Sequence, residues 1–525
     1  MKVLVLLLCW LALGIAEARE ALVARRFMVS AASPLAAQAG VEVLKRGGSA
    51  VDAAIAVQMV LGLVEPESSG IGGGAFMLHW SGREKKLRSY DGRETAPAAA
   101  TPDRFLDAQG KPLAFLDAAI SGRSVGVPGV LRMLELAHQR HGRLPWDELF
   151  LPAIRIADEG FEPGPKLRDA LSRERHMRTE VFSAPRIVNR EYGDTLRVIA
   201  RGGARMFYEG EIAQDIVLAV RTHEKPGDLT QEDLRNYRAL EREPVCGGYR
   251  KRRVCSMGPP SSGGVAVLQI LGLLERTRFA RAPPQSADAL HFFAEAGKLA
   301  YADRARYLGD SDFVKIPLEV LLDANYMSKR AGLIGEKAMA LAPPGDTEGG
   351  TSHFSIVDAR GDIVSMTTTI ETTFGSRIFV RGFLLNNQLT DFDFAPGGAN
   401  AVAPGKRPRS SMAPSIVFEK GKPILAVGSP GGSMIINYVA KALVGILDWR
   451  LDIQAAFELP NFGSRNGPTL IEQGSRYEAL APQLEARGHQ VDRILLESGL
   501  QGVQRIPGGW RGGADPRRDG AVRGE

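Results

Sequence analysis

The sequence predicts a layered α/β protein in which helices cover packed β-sheets. Three observations lead to this fold class. The pattern from about residue 102 to 340 is mainly helical, strand-like alternation follows from residue 351, and a further helix is predicted from about 433 to 447. Helices before and after two sets of strands are typical of layered α/β architectures.

Two further helices are predicted near the start of the chain, over residues 34–46 and 49–64. Gly47 and Gly48 end the first helix, and Ser49 stands three residues before Asp52, which is capping-box spacing. The Ala-rich second helix indicates close packing against a neighbour. Three helices in the following region are predicted over Val130–Ala137, Val265–Leu274 and Ser286–Tyr301.

A glycine-rich turn, Gly70–Gly74, precedes a strand predicted over Ala75–Trp80. A dinucleotide-binding loop would need a helix after the glycines, so a phosphate cradle is not predicted there. A later hairpin is predicted from Ser415–Glu419 and Ile424–Val427, around Lys420-Gly421.

A hairpin over residues 351–370 is the most informative strand pair. Ala359-Arg360-Gly361 suits a three-residue loop with Gly361 in the left-handed conformation. Carried to the strand ends, this register places Thr369 opposite Thr351, with His353 on the same face as a supporting residue. Thr–Thr pairs are common in sheets, so this spacing alone does not indicate chemistry.

The residues before Thr351 favour self-cleavage. The stretch 336–350 is rich in Pro and Gly and is poorly helical, and Gly350 offers no side chain to block attack on its carbonyl. The Thr351 hydroxyl could attack that carbonyl, and hydrolysis would then free an α-amine. Such amines have pKa values of about 7.7–8.0, so the amine could act as the base for its own hydroxyl.

The N-terminus predicts a secretory signal peptide over residues 1–18. Lys2 is followed by an apolar run, Val3–Ile15, and Ala16-Glu17-Ala18 matches a small-x-small cleavage pattern. The apolar run is too short for a typical membrane span. We therefore expect a periplasmic or secreted protein with no membrane partner.

Two cysteines remain after the predicted signal, Cys246 and Cys255. A hairpin with its turn at Arg250-Lys251 would place them opposite each other. An oxidising compartment would permit a disulfide, and two free, half-buried thiols are the alternative.

Charge and histidine spacing exclude two classes of function. The net charge is +6, and the basic residues are scattered apart from Arg250–Arg253, so no nucleic-acid surface is predicted. The eight histidines show no metal-ligand spacing, and His138 and His141 are expected to be solvated at a helix end. We expect neither a metal nor a cofactor.

Nine sequence blocks follow one another in a fixed order through almost the whole mature chain. They are Glu67–Gly74, Asp91–Pro97, Gly126–Gly129, Pro259–Gly264, Thr351–Ser355, Asn386–Phe392, Arg407–Met412, Gly428–Ser433 and Ala514–Gly520. Together they resemble the blocks of the γ-glutamyltransferase family (glutathione hydrolases). Their joint order is far more specific than any single block.

This resemblance implies a four-layer αββα N-terminal-nucleophile (Ntn) hydrolase fold. It also implies cleavage between Gly350 and Thr351 into a large chain, 19–350, and a small catalytic chain, 351–525. Thr351 matches the family's nucleophile, and Thr369 matches a threonine that contacts it and assists maturation. Gly431-Gly432 matches the oxyanion-hole glycines, whose amides would stabilise a tetrahedral intermediate.

The resemblance also implies a binding site for a γ-glutamyl donor. Arg93 matches the arginine that binds the donor's α-carboxylate, and Ser410-Ser411 matches a serine pair that binds it too. Asp391 matches the acid that holds the α-ammonium, with Glu371 and Gln388 beside it. These are chemically suitable groups, because a guanidinium is complementary to a carboxylate and a carboxylate to an ammonium.

Two departures from the family pattern affect substrate expectations. Position 371 is Glu where many members carry Asn, although some bacterial members share Glu. The segment Asp391–Gly398 runs almost directly into Ala401–Ser411, which is short beside members with a longer lid loop. The acceptor side is therefore expected to be open.

The implied activity is transfer of a γ-glutamyl group from a glutathione-like donor, through an ester on Thr351, to water or to an amino acid or peptide. A cephalosporin or glutaryl acylase of the same superfamily is the nearest alternative. A serine hydrolase at Ser124, in Gly122–Gly126, is remote because Val127-Pro128-Gly129 interrupts the required helix. An uncleaved binding protein is a third possibility, but no binding or nucleophilic residue is missing.

Overall fold

The computed structural model describes residues 21–340 and 350–525. The predicted signal peptide, 1–18, and residues 341–349 of the predicted Pro- and Gly-rich stretch lie outside the described residues. Gly350 and Thr351 are consecutive residues of one strand, so the structure represents the uncleaved chain.

The α-helices lie mainly in the N-terminal two thirds of the chain. They are α1 (Pro34–Lys45), α2 (Ala50–Val64), α3 (Phe115–Ala119), α4 (Val130–His141), α5 (Leu151–Glu159), α6 (Pro165–Arg173), α7 (Arg190–Gly202), α8 (Arg205–Tyr208), α9 (Glu211–Arg221), α10 (Gln231–Asn236), α11 (Gly263–Glu275), α12 (Ala287–Tyr307), α13 (Leu318–Leu321), α14 (Ala324–Ala331), α15 (Ile435–Leu447), α16 (Ile453–Glu458) and α17 (Ala481–Glu485).

The strands are more frequent towards the C-terminus. They are β1 (Val23–Ala24), β2 (Met28–Ala31), β3 (Gly74–Ser81), β4 (Lys86–Gly92), β5 (Leu240–Arg242), β6 (Val245–Tyr249), β7 (Arg252–Ser256), β8 (Gly350–Val357), β9 (Ile363–Glu371), β10 (Phe379–Val380), β11 (Phe383–Leu384), β12 (Ser415–Glu419), β13 (Lys422–Gly428), β14 (Phe462–Ser464), β15 (Thr469–Glu472), β16 (Val491–Ile494), β17 (Gln501–Ile506), β18 (Gly509–Ala514) and β19 (Ala521–Gly524).

The predicted helices are confirmed to within a few residues, except that α4 and α12 extend further than expected. The predicted capping box opens α2. The Ser49 hydroxyl accepts from the Asp52 amide at 3.0 Å, and the Asp52 carboxylate accepts from the Ser49 amide at 2.8 Å. That carboxylate also accepts from the Arg143 amide at 2.9 Å, which ties the helix start to the end of α4.

Two seven-stranded sheets form the centre of the molecule. The first has the order β1-β18-β17-β13-β12-β7-β6, and the second has the order β19-β2-β8-β9-β3-β4-β5. The sheets pack face to face, with apolar side chains such as Trp80, Phe418 and Val503 between them. Because each sheet takes strands from both ends of the chain, neither sheet is complete without residues on both sides of Gly350.

Helices cover the outer face of each sheet. A core that includes α1, α2, α4, α5, α7 and α9 packs on the second sheet, and a core that includes α11, α12, α15 and α16 packs on the first. The order of layers is therefore helix, sheet, sheet, helix. The four-layer αββα architecture implied by the resemblance is confirmed.

The hairpin formed by β8 and β9 has the predicted register. Val357 pairs with Ile363 and Thr351 with Thr369, and Gly361 has a positive φ of 82° in the connecting loop. An irregularity between Gly350 and Thr351 then shifts the pairing, so that Gly350 lies opposite Glu371.

The predicted cysteine hairpin, β6–β7, pairs Cys246 with Cys255 across the strands. The turn residues Arg250 and Lys251 both have positive φ, which this turn geometry requires. The structure joins the two cysteines by a disulfide. The disulfide links the outermost strand of the first sheet, β6, to its neighbour β7.

None of the helices in the described part of the chain is a candidate membrane span. Every helix within residues 21–340 and 350–525 is too short or too polar to span a bilayer.

The capping box at Ser49 leads to a stability prediction. Ser49→Ala removes a buried cap, so we expect the free energy of unfolding to fall by about 1 kcal/mol and the Tm to fall with it. Scanning calorimetry measures both. Ser172→Ala is the matched control, because that exposed hydroxyl only donates to the Asp169 carbonyl within α6. An equal Tm for the two variants would contradict the assigned role of the cap.

Candidate active site

Thr351 lies near the start of β8, close to the middle of the second sheet, and is 4% exposed. Its strand face points towards the first sheet. His353, two residues along, also lies on this face, and its ring hydrogen-bonds the Thr367 hydroxyl at 2.8 Å. Burial lowers the pKa of His353 to about 3, so the ring is neutral and supports the strand.

A chain of hydroxyl groups joins Thr351 to the peptide bond that precedes it. The Thr351 hydroxyl donates to the Thr369 hydroxyl at 3.4 Å, and the Thr369 hydroxyl donates to the Gly350 carbonyl at 2.7 Å. The amide of Glu371 donates to the Thr369 oxygen at 2.8 Å, which orients that hydroxyl. The Gly350 carbonyl is therefore polarised by a residue that also contacts Thr351.

One pocket opens beside Thr351, and most of the predicted site residues line it. The lining includes Arg93, Thr351, Thr369, Glu371, Gln388, Asp391, Ser410, Ser411 and Gly432. These residues come from six separate parts of the chain. The structure thus brings together every predicted binding and catalytic position except Gly431, which directly precedes the lining residue Gly432.

Arg93 follows β4 and is 1% exposed. Its guanidinium donates to the carbonyls of Pro408 and Arg409 at 3.1 and 3.2 Å, and to the Asp391 carboxylate at 2.5 Å. These contacts hold the side chain in a fixed direction. A buried guanidinium with one carboxylate partner at the pocket is chemically suited to bind a second carboxylate.

Glu94 lies behind Arg93 and is fully buried. One of its oxygens is 3.9 Å from Arg93 Nη1, and neither oxygen accepts a hydrogen bond from another described residue. Burial raises the pKa of the Glu94 carboxyl to about 8, although the positive charge of Arg93 opposes the rise. The carboxyl is therefore mainly protonated at neutral pH.

Two acidic side chains, Glu371 and Asp391, line the same pocket. Asn387 donates to Glu371 at 2.6 Å, and Gln388 donates to Asp391 at 2.7 Å. Burial raises the pKa of Glu371 well above its usual range, and the negative charge of Asp391 adds to this rise. A cation entering the pocket would stabilise the charged form of both groups.

The serine pair, Ser410 and Ser411, lines the same pocket. The Ser410 carbonyl accepts from the Ser262 amide at 2.8 Å, which joins the two segments. The Ser411 hydroxyl accepts from Arg304 of α12 at 2.9 Å, and Arg304 also donates to the Ser262 hydroxyl at 2.8 Å. Burial lowers the pKa of Arg304 to about 10, so it remains a cation and gives the pocket a second positive charge.

Gly431 and Gly432 form the turn between β13 and α15. Their φ angles are 126° and 54°, a region that favours glycine. A Cβ on Gly431 would lie 2.5 Å from the Tyr438 ring, so a larger residue would not fit. The turn brings Gly432 to the pocket at the start of a helical segment, where backbone N–H groups can bind an anion.

The segment after Asp391 turns back within a few residues. The amide of Asp393 donates to the Asn400 carbonyl at 3.1 Å, and the Phe394 ring stacks on Phe105 at 4.7 Å. Only residues 395–398 at the tip are exposed. The segment therefore contributes a short rim on this side of the pocket.

The alternative nucleophile, Ser124, lies in a different environment. Its side chain is fully buried, and its hydroxyl donates to the Ala119 and Ser121 carbonyls, both at 2.8 Å. A hydroxyl that is committed to two carbonyls and closed to solvent is not available to a substrate. The geometry does not support a serine hydrolase at Ser124.

The expectation that His138 and His141 are solvated is wrong. His141 accepts or donates a 2.8 Å hydrogen bond with the Tyr90 hydroxyl and packs against the His79 ring, with centroids 4.0 Å apart. His138 contacts the Leu144 carbonyl at 3.0 Å. Both histidines pack at the end of α4 because this helix lies on the second sheet.

A buried cluster far from the pocket contains His291, Glu295 and His489, which no sequence spacing indicated. The two rings hydrogen-bond each other at 2.7 Å. The remaining ring nitrogens contact the Gly335 carbonyl at 2.8 Å and the Thr469 hydroxyl at 2.7 Å. Because all four nitrogens have partners, the cluster is explained as a structural network.

Sequence reasoning missed Arg304 and Asn387 as site residues. Arg304 lies in the last turn of a long, mostly buried helix, and nothing in the sequence distinguishes it from Arg306, the other arginine of α12. Asn387 lies within the block Asn386–Phe392, next to Gln388. Only the folded structure shows that its amide contacts Glu371.

Two face-to-face sheets between helical layers, with this pocket at the start of a central strand, define the class of Ntn hydrolases. A sequence model described as Gamma-glutamyltranspeptidase matches residues 36–525. The chain is 37% identical to the glutathione hydrolase proenzyme of Bacillus subtilis, over 97% of this chain and 93% of that protein. It is 38% identical to the glutathione hydrolase proenzyme of Escherichia coli, over 94% and 91%.

A solved structure described as a cephalosporin acylase from Bacillus halodurans has a TM-score of 0.86 and 30% sequence identity, covering 97% of each chain. The chain belongs to the γ-glutamyltranspeptidase family, and it is an enzyme of that family.

Glu94 leads to a prediction about pH and stability. The unfolded carboxyl loses its proton near pH 4.5, whereas the folded one keeps it to about pH 8. The stabilising contribution of this proton is therefore complete below pH 4.5 and is lost as the pH rises to about 8. In Glu94→Gln the amide replaces the titrating group, so the Tm of the variant relative to the wild type should rise between pH 5 and 8.

The measurement is a series of thermal melts at half-unit pH steps. Glu162→Gln, at an exposed position, is the control and should follow the wild type at every pH. A Tm difference for Glu94→Gln that does not change with pH would show that the carboxyl titrates normally.

Proposed function

We propose that the protein is a self-processing γ-glutamyltransferase and hydrolase with Thr351 as its nucleophile. The observation that carries this proposal is the hydroxyl chain from Thr351 through Thr369 to the Gly350 carbonyl. It joins the attacking group, an assisting group and the scissile bond at one edge of the pocket. Membership of the family supports the same assignment.

Maturation begins with attack of the Thr351 oxygen on the Gly350 carbonyl carbon. Thr369 stabilises the developing negative charge on the carbonyl oxygen through its 2.7 Å hydrogen bond. The C–N bond breaks, the nitrogen takes the hydroxyl proton, and Gly350 becomes an ester on Thr351. Water then hydrolyses the ester, which leaves a carboxylate on Gly350 and a free α-amine on Thr351.

The mature site then repeats this chemistry on a donor. The neutral α-amine accepts the Thr351 hydroxyl proton while the oxygen attacks the donor's γ-carbonyl carbon. The proton passes to the leaving nitrogen, and the γ-glutamyl group remains as an ester. Water or the amino group of an amino acid or peptide cleaves this ester and restores Thr351.

The charges of the pocket support a donor with both an α-carboxylate and an α-ammonium. Arg93, with Ser410 and Ser411, offers donors for the carboxylate. Asp391 and Glu371 offer acceptors for the ammonium, and the Arg93–Asp391 contact keeps the two groups next to each other. Glutathione-like γ-glutamyl compounds carry this pair of charges on one carbon.

An acylase for cephalosporin or glutaryl substrates is the second candidate. The solved acylase structure similar to this chain favours it, because the two folds match over nearly their full length. A glutaryl substrate lacks the α-ammonium. Asp391 would keep its Arg93 partner, but neither Asp391 nor Glu371 would gain a cationic partner from such a substrate. We therefore prefer the γ-glutamyl donor.

We also propose that the protein works outside the cytoplasm, after removal of residues 1–18. The Cys246–Cys255 disulfide supports an oxidising compartment. Sequencing the N-terminus of the mature large chain tests this, and a start at Arg19 is expected.

Self-cleavage is tested on the purified protein by denaturing gel and N-terminal sequencing. We expect two bands, with the smaller one beginning Thr-Ser-His-Phe. Thr351→Ala should remain a single band without activity, because it lacks the attacking hydroxyl. Ser352→Ala is the neighbouring control and should still be cleaved, since its hydroxyl donates to Glu65 on the opposite face of the strand. An active wild-type protein with an unbroken chain would refute the mechanism.

Donor preference is tested with γ-glutamyl-p-nitroanilide and glutaryl-p-nitroanilide. Asp391→Asn removes a charged partner of the ammonium, so we expect kcat/KM for the γ-glutamyl compound to fall about 10- to 150-fold. Activity on the glutaryl compound should fall much less. Asp393→Asn is the control, since this side chain pairs with Arg409 and does not line the pocket. Equal losses on both substrates would favour the acylase.

A further inference from the structure

The last sequence block, Ala514–Gly520, has no role in the mechanism described so far. In the structure it forms a tight turn after β18, organised by Asp515. The Asp515 carboxylate accepts from the amides of Arg517 and Leu500 at 3.0 and 3.3 Å, and it also accepts from the Ser498 hydroxyl. This buried carboxylate fixes the direction of the two arginines that follow.

The two arginines point to different places. Arg517 is a structural residue: its guanidinium pairs with Glu472 and Asp515 and donates to the Leu459 carbonyl. Arg518 instead donates from Nη1 to the carbonyl oxygen of Thr351 at 3.0 Å. The turn therefore connects the last strands of the chain directly to the candidate nucleophile.

The path of the Arg518 side chain is restricted. A Cβ on Gly499 would lie 2.6 Å from Arg518 Cδ and 2.6 Å from Pro430 Cγ, so a glycine is needed at position 499 for the arginine to reach Thr351. Arg518 Nη2 also contacts the Glu497 carbonyl at 3.4 Å. The guanidinium thus approaches Thr351 from the side of the backbone, and it does not line the substrate pocket.

Arg518 is also close to the nitrogen of Thr351. The nitrogen and carbonyl oxygen of one residue lie within roughly 4 Å of each other, so Arg518 Nη1 is within about 7 Å of that nitrogen. Under the proposed function this nitrogen becomes the α-amine that acts as the base. A nearby fixed cation favours the neutral form of an amine.

We infer that Arg518 is a positioning residue for the nucleophile, which holds the Thr351 carbonyl and keeps the new α-amine in its neutral, proton-accepting form. This inference rests on the proposed function, because it concerns the amine that cleavage creates. It assigns a role to the final block that is separate from donor binding.

Other charged groups also face Thr351, and they oppose one another. On the pocket side are Arg93, Arg304, Glu371 and Asp391. Behind the strand are Glu65, Glu67 and Lys166, where Lys166 pairs with Glu67 at 3.1 Å and burial raises the pKa of Glu65. Asp519 belongs to the same turn as Arg518, and the Tyr438 ring lies next to Gly431. Among these cations only Arg518 is within hydrogen-bonding distance of the main chain of Thr351 in the described residues.

The test compares Arg518→Gln with Arg518→Lys in the full-length, processed enzyme. The probe is γ-glutamyl-p-nitroanilide, and kcat/KM is measured from pH 5 to 10. Gln removes the charge, so the acid limb of the profile should move to higher pH by roughly 0.5–1.5 units, as Coulomb's law gives for this distance. Lys keeps the charge, so its acid limb should stay near that of the wild type.

The donor KM should change less than about twofold in both variants, since Arg518 does not line the pocket. Arg523→Gln is the control, because this exposed arginine of β19 contacts only the Val522 carbonyl among the described residues. It should leave both the profile and kcat unchanged. A merely structural role for Arg518 would lower kcat without moving the acid limb.

Three outcomes would overturn the inference. They are an unmoved acid limb in Arg518→Gln, an equal shift in Arg518→Lys, and an uncleaved Arg518→Gln chain, which would assign the residue to maturation. A wild-type protein that is uncleaved and inactive would instead refute the proposed function itself. The two failures are therefore distinguishable on the same gel and in the same assay.

Discussion

The antiparallel pairing of β8 with β9 fixes the geometry of the candidate site. Its register places Thr351 opposite Thr369 and brings the Gly350 carbonyl within 2.7 Å of the Thr369 hydroxyl. A shift by one residue would turn Thr351 towards the helical layer, because side chains alternate along a strand. Both strands are buried on both faces, so such a shift would also bury polar groups in an apolar core.

The two faces of β8 show how this register is maintained. Phe354 and Ile356 pack into the helical layer, whereas Thr351, His353 and Ser355 face the other sheet. A Cβ on Gly428 of the facing strand would lie 2.3 Å from the His353 ring, so that glycine leaves room for the imidazole. The polar groups next to Thr351 are thus accommodated by a matching gap in the opposite sheet.

Charge balance in the pocket is the second organising feature. Arg93, Arg304, Glu371 and Asp391 converge there from distant parts of the chain. Buried charges are unfavourable unless each has a partner, and here backbone carbonyls, Asn387 and Gln388 supply many of the contacts. The groups are therefore held in place before a substrate binds, which lowers the reorganisation that catalysis requires.

Much of this arrangement could be predicted from local patterns. Capping at Ser49, the loop at Gly361 and the cysteine hairpin depend on residues a few positions apart, and these signals are present in the sequence. The order of the blocks indicated the family and so the four-layer fold. The solvated state expected for His138 and His141 was wrong because the packing of α4 on the second sheet is not a local property.

Local signals in the sequence predicted the secondary structure around Thr351, the Thr351–Thr369 register and the residue types of the pocket, because these follow from short-range backbone geometry and from ordered blocks. The folded chain alone shows that Arg304 lines the pocket, that Asn387 contacts Glu371 and that Arg518 contacts the Thr351 carbonyl. Each acts across more than 15 residues of chain or between different sheets and helices, and the direction of a long side chain depends on the packing around it. These groups reach Thr351 because both sheets combine strands from each end of the chain.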